Sequence, residues 1–270
     1  MKHEACQLLT SIDDGELAVA RLLDKDYAAQ QKFDGKRIIL TIDRATVTAH
    51  NRTGLVCEVS QQILEQARRL SVIAPLILDG EWLRETKSLH VFDLLEIDGA
   101  DLRNLPFQQR QRQLAKTLAV AQLPNLAAVR TEYLREGKAA LLEKINAHNL
   151  EGIVLKAVNS PYRVGRQPDQ FKFKFTAVSS FVITGLNQKQ SVSLGAYDAR
   201  GNLVNCGDVK IRSTRFKVRE GMIIDVEYSH AFSSSNLIYQ PRMDKIRDDL
   251  QPEACTLSQL RYKGTEITVA

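Results

Sequence analysis

The hydrophobic pattern of this chain changes near residue 177, and this change constrains the fold most. Before it, strand-like alternation, as at residues 36–42, is mixed with helical spacing of apolar residues, as at 59–70. After it come short apolar runs at regular spacing without a long helical pattern: 181–184, 193–197, 203–209 and 222–228. The pattern predicts a larger α+β domain over residues 1–176 and a small all-β domain over 177–270, most economically a five-stranded barrel.

Composition is typical of a globular protein and excludes several classes. The 270 residues suffice for two modest domains, and 37 Lys and Arg against 32 Asp and Glu give a net charge of +5, which suits a polyanionic partner. No apolar run is long enough to cross a bilayer, and the N-terminus lacks the apolar segment of a signal peptide. The four cysteines form no CxxC motif. We therefore expect a cytoplasmic protein without membrane contact or a zinc site.

Reactive side chains are densest at residues 30–37, QQKFDGKR. The neighbouring cations Lys36 and Arg37 favour the neutral amine of Lys32 and attract anions. Gly35 lets the backbone approach a ligand closely. A lysine, a carboxylate and a glycine at a strand end can thus form a nucleophile that faces a phosphate, although so short a motif also fits a solvated turn.

Four further elements follow this motif in order along the chain. They are LDGEW at 78–82, VFDLL at 91–95, EGIVLK at 151–156 and FKFKF at 171–175. Each has an ordinary structural interpretation: Phe92 as a core residue, Glu81 and Glu151 as strand-end acids, and Lys172 and Lys174 as the solvent face of a strand. The occurrence of all five elements in one order favours a functional interpretation.

The ordered set resembles the covalent nucleotidyltransferase superfamily and, within it, the ATP-dependent polynucleotide ligases. Residues 32–37 are similar to the KxDGxR motif, whose lysine becomes adenylated, and NRTG at 51–54 is similar to the motif that follows it. Stretches typical of DNA ligases are DLRNLP at 101–106 and SPYR at 160–163. Further similarity to the OB domain of short DNA ligases lies at 194–198, 226–228 and 247–249.

This resemblance implies an α+β nucleotidyltransferase (adenylation) domain followed by a small all-β OB-fold barrel. It implies an ATP-dependent DNA ligase of minimal two-domain type, which seals 5′-phosphate/3′-hydroxyl nicks in double-stranded DNA through a lysyl-AMP and a DNA-adenylate. Such an enzyme serves DNA replication, repair and recombination. The implied cofactors are ATP and Mg²⁺, for which Mn²⁺ can substitute, and the implied state is a monomer. The alternatives are an ATP-dependent RNA ligase and a catalytically inactive OB-fold nucleic-acid-binding protein.

The resemblance also implies roles for particular residues. Lys32 is the nucleophile, and Lys172 and Lys174 act on the α-phosphate as further catalytic residues. Glu151 is the metal carboxylate, because Mg²⁺ takes few protein oxygens. The implied nucleotide-binding residues are Gln30, Arg37, Arg52, Glu81, Phe92, Glu151, Lys172, Lys174 and Arg247.

Within that set, Phe92 is implied to stack on adenine and Glu81 to hold the ribose. Arg37 and Arg52 are implied to grip nucleotide or nick phosphate through bidentate geometry. Gln30 stands where the family usually has a glutamate that binds the adenine amino group, and its side-chain oxygen can still accept that hydrogen bond.

Two further departures from the family pattern are Phe171, in place of a tryptophan, and Leu250, in place of the lysine that commonly ends the last motif. The all-β part also contains five cations and one aromatic residue within residues 210–219, which predicts a strip that binds a nucleic-acid backbone or, alternatively, a solvated face. The predicted DNA-binding residues are Arg52, Lys210, Arg212, Arg215 and Lys217.

Overall fold

The fold was analysed in a computed structural model that describes residues 6–44, 46–119, 123–188, 190–211 and 217–264. Within these ranges the chain divides into two compact units. The first consists of residues 6–147 and 151–173, and the second of residues 148–150 and 174–264. The predicted domains, 1–176 and 177–270, stay a prediction. In the described part of the chain, no helix has both the length and the apolar character needed to cross a membrane.

The first unit combines two β-sheets with four helices. Its strands are β1 (Gln7–Ser11), β2 (Tyr27–Lys32), β3 (Lys36–Asp43), β4 (Thr46–Asn51), β5 (Leu76–Leu83), β6 (Ser88–Ile97), β7 (Ala100–Asp101), β8 (Leu126–Ala128), β9 (Thr131–Glu132), β10 (Gly152–Ala157) and β11 (Gly165–Lys174), which ends in the second unit. Its helices are α1 (Gly15–Leu23), α2 (Gln61–Arg68), α3 (Phe107–Ala119) and α4 (Arg135–Ala147), with a 3₁₀ turn at Ser71–Ile73.

The two sheets of the first unit have different strand orders. One has the order β1-β11-β10-β2-β9, and the other has the order β4-β3-β5-β6-β7 with β8 parallel to β6. The predicted alternation in β3 is confirmed, because Ile38, Leu40 and Ile42 are all buried in the main core against α2 and α3. Ile39 on the opposite face is also buried, in a second cluster that contains Tyr162. This sheet is therefore covered on both faces.

Strand pairing brings distant parts of the sequence together at one end of the sheets. Antiparallel pairing of β2 with β10 places Lys32 opposite Gly152. Antiparallel pairing of β3 with β5 places Arg37 opposite Glu81. Only a tight turn separates the end of β2 from the start of β3. The two residue pairs therefore both lie near the KFDG segment, residues 32–35.

Gly35 in that segment is required by close packing of the backbone. A Cβ atom at this position would collide with the carbonyl oxygen of Trp82 and would lie 2.9 Å from Cδ2 of Leu83. Any side chain here would push the turn away from β5. The glycine of the motif thus serves the packing of the turn between β2 and β3.

The second unit is built on an antiparallel sheet. Its strands are β12 (Ala177–Asn187), β13 (Ser191–Tyr197), β14 (Leu203–Lys210), β15 (Ile223–Tyr228), β16 (His230–Ala231), β17 (Ile238–Tyr239) and β18 (Arg242–Arg247), with 3₁₀ turns at Pro252–Ala254 and Leu257–Gln259. The four predicted apolar runs correspond to β12–β15. The sheet order is β14-β13-β12-β15-β18, and β16 pairs separately with β17.

One face of this sheet carries the core of the second unit. Phe181 and Tyr228 are fully buried, and the Tyr228 hydroxyl lies 2.9 Å from the hydroxyl of Ser179. In the described residues no ladder joins the edge strands β14 and β18, so the sheet is open there. The closed OB-fold barrel therefore stays a prediction.

Candidate active site

A cavity of about 300 Å³ in the first unit collects most of the predicted nucleotide-binding residues. The predicted residues that line it are Gln30, Lys32, Arg37, Arg52, Glu81, Phe92 and Lys172. They come from five strands and one turn that are far apart in the sequence. The cavity is therefore a product of the sheet pairing described above.

Lys32 is in direct contact with a carboxylate at this cavity. Its Nζ atom lies 2.6 Å from Oε2 of Glu151 and donates a second hydrogen bond, of 3.3 Å, to the carbonyl oxygen of Phe33. Lys32 pairs with Gly152 at the ends of β2 and β10. Glu151, which precedes this glycine, therefore lies beside the lysine amine. The lysine side chain is 18% exposed and that of Glu151 is 6% exposed. An accessible amine thus has a shielded carboxylate that can accept its proton.

Glu81 faces the same cavity from β5. Burial raises the pKa of its carboxyl group to about 7, although the nearby cations Lys32 and Arg37 oppose this shift. Desolvation disfavours the charged form of an acid, so Glu81 changes its charge close to neutral pH. The cavity therefore contains an acid whose ability to accept hydrogen bonds depends on pH.

Arg37 is held by Asp79, which does not line the cavity, and by the backbone of Gln7, which does. Its Nε and Nη2 atoms donate to the two carboxylate oxygens of Asp79 at 2.8 and 2.6 Å, and Nη1 donates to the carbonyl oxygen of Gln7 at 2.8 Å. The Asp79 carboxylate raises the pKa of the guanidinium group. One bidentate edge of the guanidinium is thus occupied. The predicted bidentate grip of Arg37 on a phosphate would have to use the remaining N–H groups.

The Phe92 ring forms part of the wall between two cations. The guanidinium carbon of Arg37 lies 4.9 Å from the ring centre, and Nζ of Lys156 lies 4.8 Å from it. Lys156 also lines the cavity, and burial lowers the pKa of its amine to about 8 against the opposing effect of Asp93. Contacts with both cations hold the ring in place.

Gln30 is buried and belongs to a chain of polar side chains. Its Nε2 atom donates to Oγ1 of Thr131 at 2.8 Å. The Thr131 hydroxyl donates to Oε1 of Gln111 at 3.1 Å, and Nε2 of Gln111 donates to the carbonyl oxygen of Phe92 at 2.6 Å. These residues come from β2, β9, α3 and β6, so the chain of hydrogen bonds links two residues of the cavity lining, Gln30 and Phe92, through the interior.

Arg52 is an exposed residue on a turn at the cavity. The Oδ1 atom of Asn51 accepts hydrogen bonds from the backbone N–H groups of Thr53 and Leu55, at 2.9 and 3.1 Å. Gly54 in the same turn has a φ of 83°. Asparagine and glycine therefore fix the turn that presents Arg52.

Two of the predicted nucleotide-binding residues belong to the second unit. Lys174 donates a hydrogen bond of 3.1 Å to Oε1 of Gln240. Arg247 donates to Asp225 and Asp249, and its hydrogen bonds lower the pKa of Asp249 to about 2. Lys172 and Lys174 occupy the same face of β11 by alternation, as predicted, but only Lys172 lines the cavity of the first unit.

The predicted DNA-binding residues of the second unit are described in part. Lys210, at the end of β14, and Lys217 are both exposed. Arg212 and Arg215 lie outside the described residues. The predicted strip from 210 to 219 therefore stays a prediction.

The sequence analysis did not identify four polar residues that line the cavity. These are Gln7, Gln31, Lys156 and Arg166. Lys156 could have been found, because it ends the EGIVLK segment and alternation in β10 places it on the same face as Val154, another lining residue. Arg166, which donates a hydrogen bond of 2.8 Å to the carbonyl oxygen of Leu9, has no comparable signal in the sequence.

The fold of this chain is shared by solved structures of DNA ligases. The solved structure of a mycobacterial DNA ligase D complexed with ATP and MES has this fold, with a TM-score of 0.56 and 20% identity over 94% of this chain and 98% of that one. Residues 83–174 match the family model described as the ATP dependent DNA ligase domain.

Curated proteins with a similar sequence include one named DNA ligase. A DNA ligase of Methanopyrus kandleri is 26% identical over 219 residues, which are 66% of this chain and 39% of that protein. The bifunctional non-homologous end joining protein LigD of Bacillus subtilis is 27% identical over 207 residues, which are 60% of this chain and 33% of that protein. The predicted relationship to the ATP-dependent DNA ligases is confirmed. The chain spans less than half the length of these two relatives.

Proposed function

We propose that the chain is an ATP-dependent DNA ligase that seals nicks with a 5′-phosphate and a 3′-hydroxyl. The contact between the Lys32 amine and the Glu151 carboxylate carries this proposal, because it joins a nucleophile and a proton acceptor at a cavity lined with cations. The name of the matching family model and the names of the relatives support the same activity.

The first step of this reaction transfers AMP to the protein. The Lys32 amine loses a proton, for which the Glu151 carboxylate is the nearest acceptor, and Nζ attacks the α-phosphorus of ATP. A nitrogen–phosphorus bond forms, the bond between the α-phosphorus and its bridging oxygen breaks, and pyrophosphate leaves. Lys172 and Arg52 line the cavity and can neutralise phosphate charge.

The next two steps use the adenylated lysine. An oxygen of the nick 5′-phosphate attacks the AMP phosphorus, and the nitrogen–phosphorus bond breaks to regenerate the lysine amine. The 3′-hydroxyl then attacks the 5′-phosphorus and displaces AMP. Lys32 forms no bond in this last step, so a variant without this amine should still seal a nick that is already adenylated.

We further propose that Glu151 holds a Mg²⁺ ion. In the described residues no cluster of three or more His, Cys, Asp or Glu side chains is arranged to hold a metal. Mg²⁺ needs only one or two carboxylates when phosphate oxygens and water complete its shell, and it supplies positive charge that stabilises the phosphates. The Glu151 carboxylate now pairs with a lysine ammonium.

For the second unit we propose an OB fold that binds nicked duplex DNA. Three consecutive strands, β14-β13-β12, continue into β15 and β18, and closure of β14 against β18 would complete a five-stranded barrel. The exposed cations Lys210 and Lys217 suit a phosphate backbone. We keep the domain limits 1–176 and 177–270 for this arrangement, with a monomer acting in the cytoplasm.

Incubation with α-labelled ATP and Mg²⁺ tests the activity. The unaltered protein should acquire a covalent label and seal a nicked duplex, whereas Lys32→Ala should acquire none. Lys25→Ala is a matched control, because Lys25 is an exposed lysine just before β2. The absence of label on the unaltered protein would favour the inactive binding protein. Nicked duplexes with RNA on either side of the nick would distinguish an RNA ligase.

A further inference from the structure

A directed chain of hydrogen bonds fixes the orientation of the Gln30 amide. It starts at the carbonyl oxygen of Phe92, which can only accept, so the nearest atom of Gln111 must be its Nε2 donor. Oε1 of Gln111 is therefore the atom that faces Thr131, whose hydroxyl lies 3.1 Å from it and 3.3 Å from the carbonyl oxygen of Val129 and can donate to either. The oxygen of that hydroxyl in turn accepts from Nε2 of Gln30.

The chain leaves one polar atom of Gln30 unused. Gln30 lines the cavity and is only 2% exposed. Its Nε2 atom donates to Thr131 and lies 3.4 Å from Oε1 of Gln111. Oε1 of Gln30 accepts no hydrogen bond from a side chain in the described part of the chain. A ligand in the cavity would therefore meet a hydrogen-bond acceptor at this position.

A flipped amide would break this arrangement. Oε1 of Gln30 would then face Oε1 of Gln111, and it could accept from Thr131 only if the threonine hydroxyl abandoned Gln111. The flip thus leaves a buried oxygen without a donor, which disfavours it strongly in a site of this burial. A glutamate at position 30 would present an acceptor in either orientation, because both of its carboxylate oxygens are acceptors.

We propose that Gln111 and Thr131 are positioning residues that set the nucleotide specificity of this site by holding Oε1 of Gln30 towards the cavity. The inference rests on the proposed function and on the adenine-binding role that the family resemblance implies for Gln30. An acceptor there binds a base with an exocyclic amino group, as in adenine. It repels a base with a carbonyl oxygen at the same ring position, as in hypoxanthine.

The test compares ATP with inosine triphosphate as substrates for covalent labelling of the protein at Lys32. Gln111→Leu removes the oxygen that opposes the flip, and Gln111→Leu with Thr131→Val also removes the hydroxyl, so both variants let the Gln30 amide rotate. We expect the ratio of single-turnover labelling efficiencies, ATP over inosine triphosphate, to fall about tenfold or more, which is the effect of one buried hydrogen bond. Thr131→Ser is the matched control, because it keeps the hydroxyl, and it should retain the ratio.

Variants made in a Gln30→Glu protein distinguish a change in the orientation of the Gln30 amide from general damage to the cavity. In Gln30→Glu the side chain has no donor, and the Thr131 hydroxyl can turn towards it. Adding Gln111→Leu to Gln30→Glu should therefore leave the nucleotide ratio unchanged. Damage to the cavity would slow labelling by both nucleotides alike, whereas a rotated amide improves the use of inosine triphosphate relative to ATP.

Equilibrium binding of both nucleotides to the same variants completes the test. If the unaltered protein binds ATP selectively but forms no adduct, the ligase proposal fails and the binding ratios still test the orientation. If adduct forms and the ratio is the same in the unaltered protein, in Gln111→Leu and in Gln111→Leu with Thr131→Val, the inference is overturned while the ligase proposal stands. If neither nucleotide binds, both are overturned.

Discussion

ATP binding should have a bell-shaped dependence on pH, set by two cavity residues. Glu81 has a pKa raised to about 7 by burial, and Lys156 has a pKa lowered to about 8 by burial. The Glu81 carboxyl group, to which the family resemblance assigns the ribose, loses its negative charge as the pH falls through about 7. The Lys156 ammonium, which gives the cavity positive charge that would attract the ATP anion, loses that charge as the pH rises through about 8.

The two pKa values fix the size of the effect. At pH 7.5 the fraction of protein with both groups charged is about 0.6, and it falls to about 0.1 at pH 6 and at pH 9. If this state binds ATP tightly, the association constant should fall about sixfold on each side of the optimum. Both pKa values belong to the free protein, so the association constant is the quantity that reports them.

Calorimetric titration with ATP from pH 5.5 to 9.5 measures this profile. In Glu81→Gln the association constant should no longer fall at low pH because of residue 81. The ATP γ-phosphate also titrates, and any pH dependence that remains in this variant measures its contribution. In Lys156→Met the association constant should no longer fall at high pH, because methionine carries no charge. The packing should be kept, since methionine fits between the rings of Phe92 and Phe107 that contact this lysine. Identical profiles for the unaltered protein and both variants would refute the assignment of these two groups.

Three other changes test the fold and the DNA surface. Gly35→Ala should lower the free energy of unfolding by about 1–3 kcal/mol in urea titrations, since its methyl group collides with the backbone of β5; unchanged stability would mean that this turn can yield. Tyr228→Phe removes a buried hydroxyl that bonds with Ser179 and with the backbone N–H of Arg261, and it should cost about 1–2 kcal/mol in the same assay. Replacing Lys210 and Lys217 by glutamine should make the logarithm of the nicked-DNA binding constant depend less steeply on the logarithm of the salt concentration, by about 0.9 for each DNA phosphate that a lysine neutralises. Labelling by ATP should be unaltered. An equal slope would mean that both lysines face solvent and do not contact DNA.

The sequence predicts local structure well where the residues of one strand are enough to determine it. The alternation at residues 36–42 and the apolar runs of the second unit correspond to strands because side-chain direction in a strand has a period of two. The contact between Lys32 and Glu151 joins residues 119 positions apart. Only the register of β2 on β10 creates it, and sequence spacing contains no measure of that register.

The positions of Gln111 and Arg110 show why other parts of the site could not be predicted. Helix α3 is rich in glutamine and arginine, which indicates a solvated helix. Nevertheless both residues are buried, because α3 packs on β6 and turns these side chains towards Phe92 and Asp93. Burial of a polar side chain depends on the partner that it meets, and that partner lies elsewhere in the chain.

The same packing divides the charged motif residues between two roles. Asp79 and Asp93 are fully buried and directly opposite each other on β5 and β6, where two carboxylates would repel each other. Arg37 binds the first through two hydrogen bonds, and Arg110 binds the second in the same way. Removal of Arg37 would leave the buried charge of Asp79 without its ion-pair partner, which is far more costly than loss of an exposed pair, whereas Asp93 also has Lys156 at 3.8 Å.

These buried pairs therefore stabilise the wall behind the ligand, and the Phe92 ring lies on that wall over Arg37. Other charged motif residues lie in front of the wall, where a nucleotide would meet them. They include Lys32, Glu81 and Lys172, which line the cavity from β2, β5 and β11. A ligase motif thus contains both the residues that react and the residues that hold them, and only the tertiary contacts separate the two.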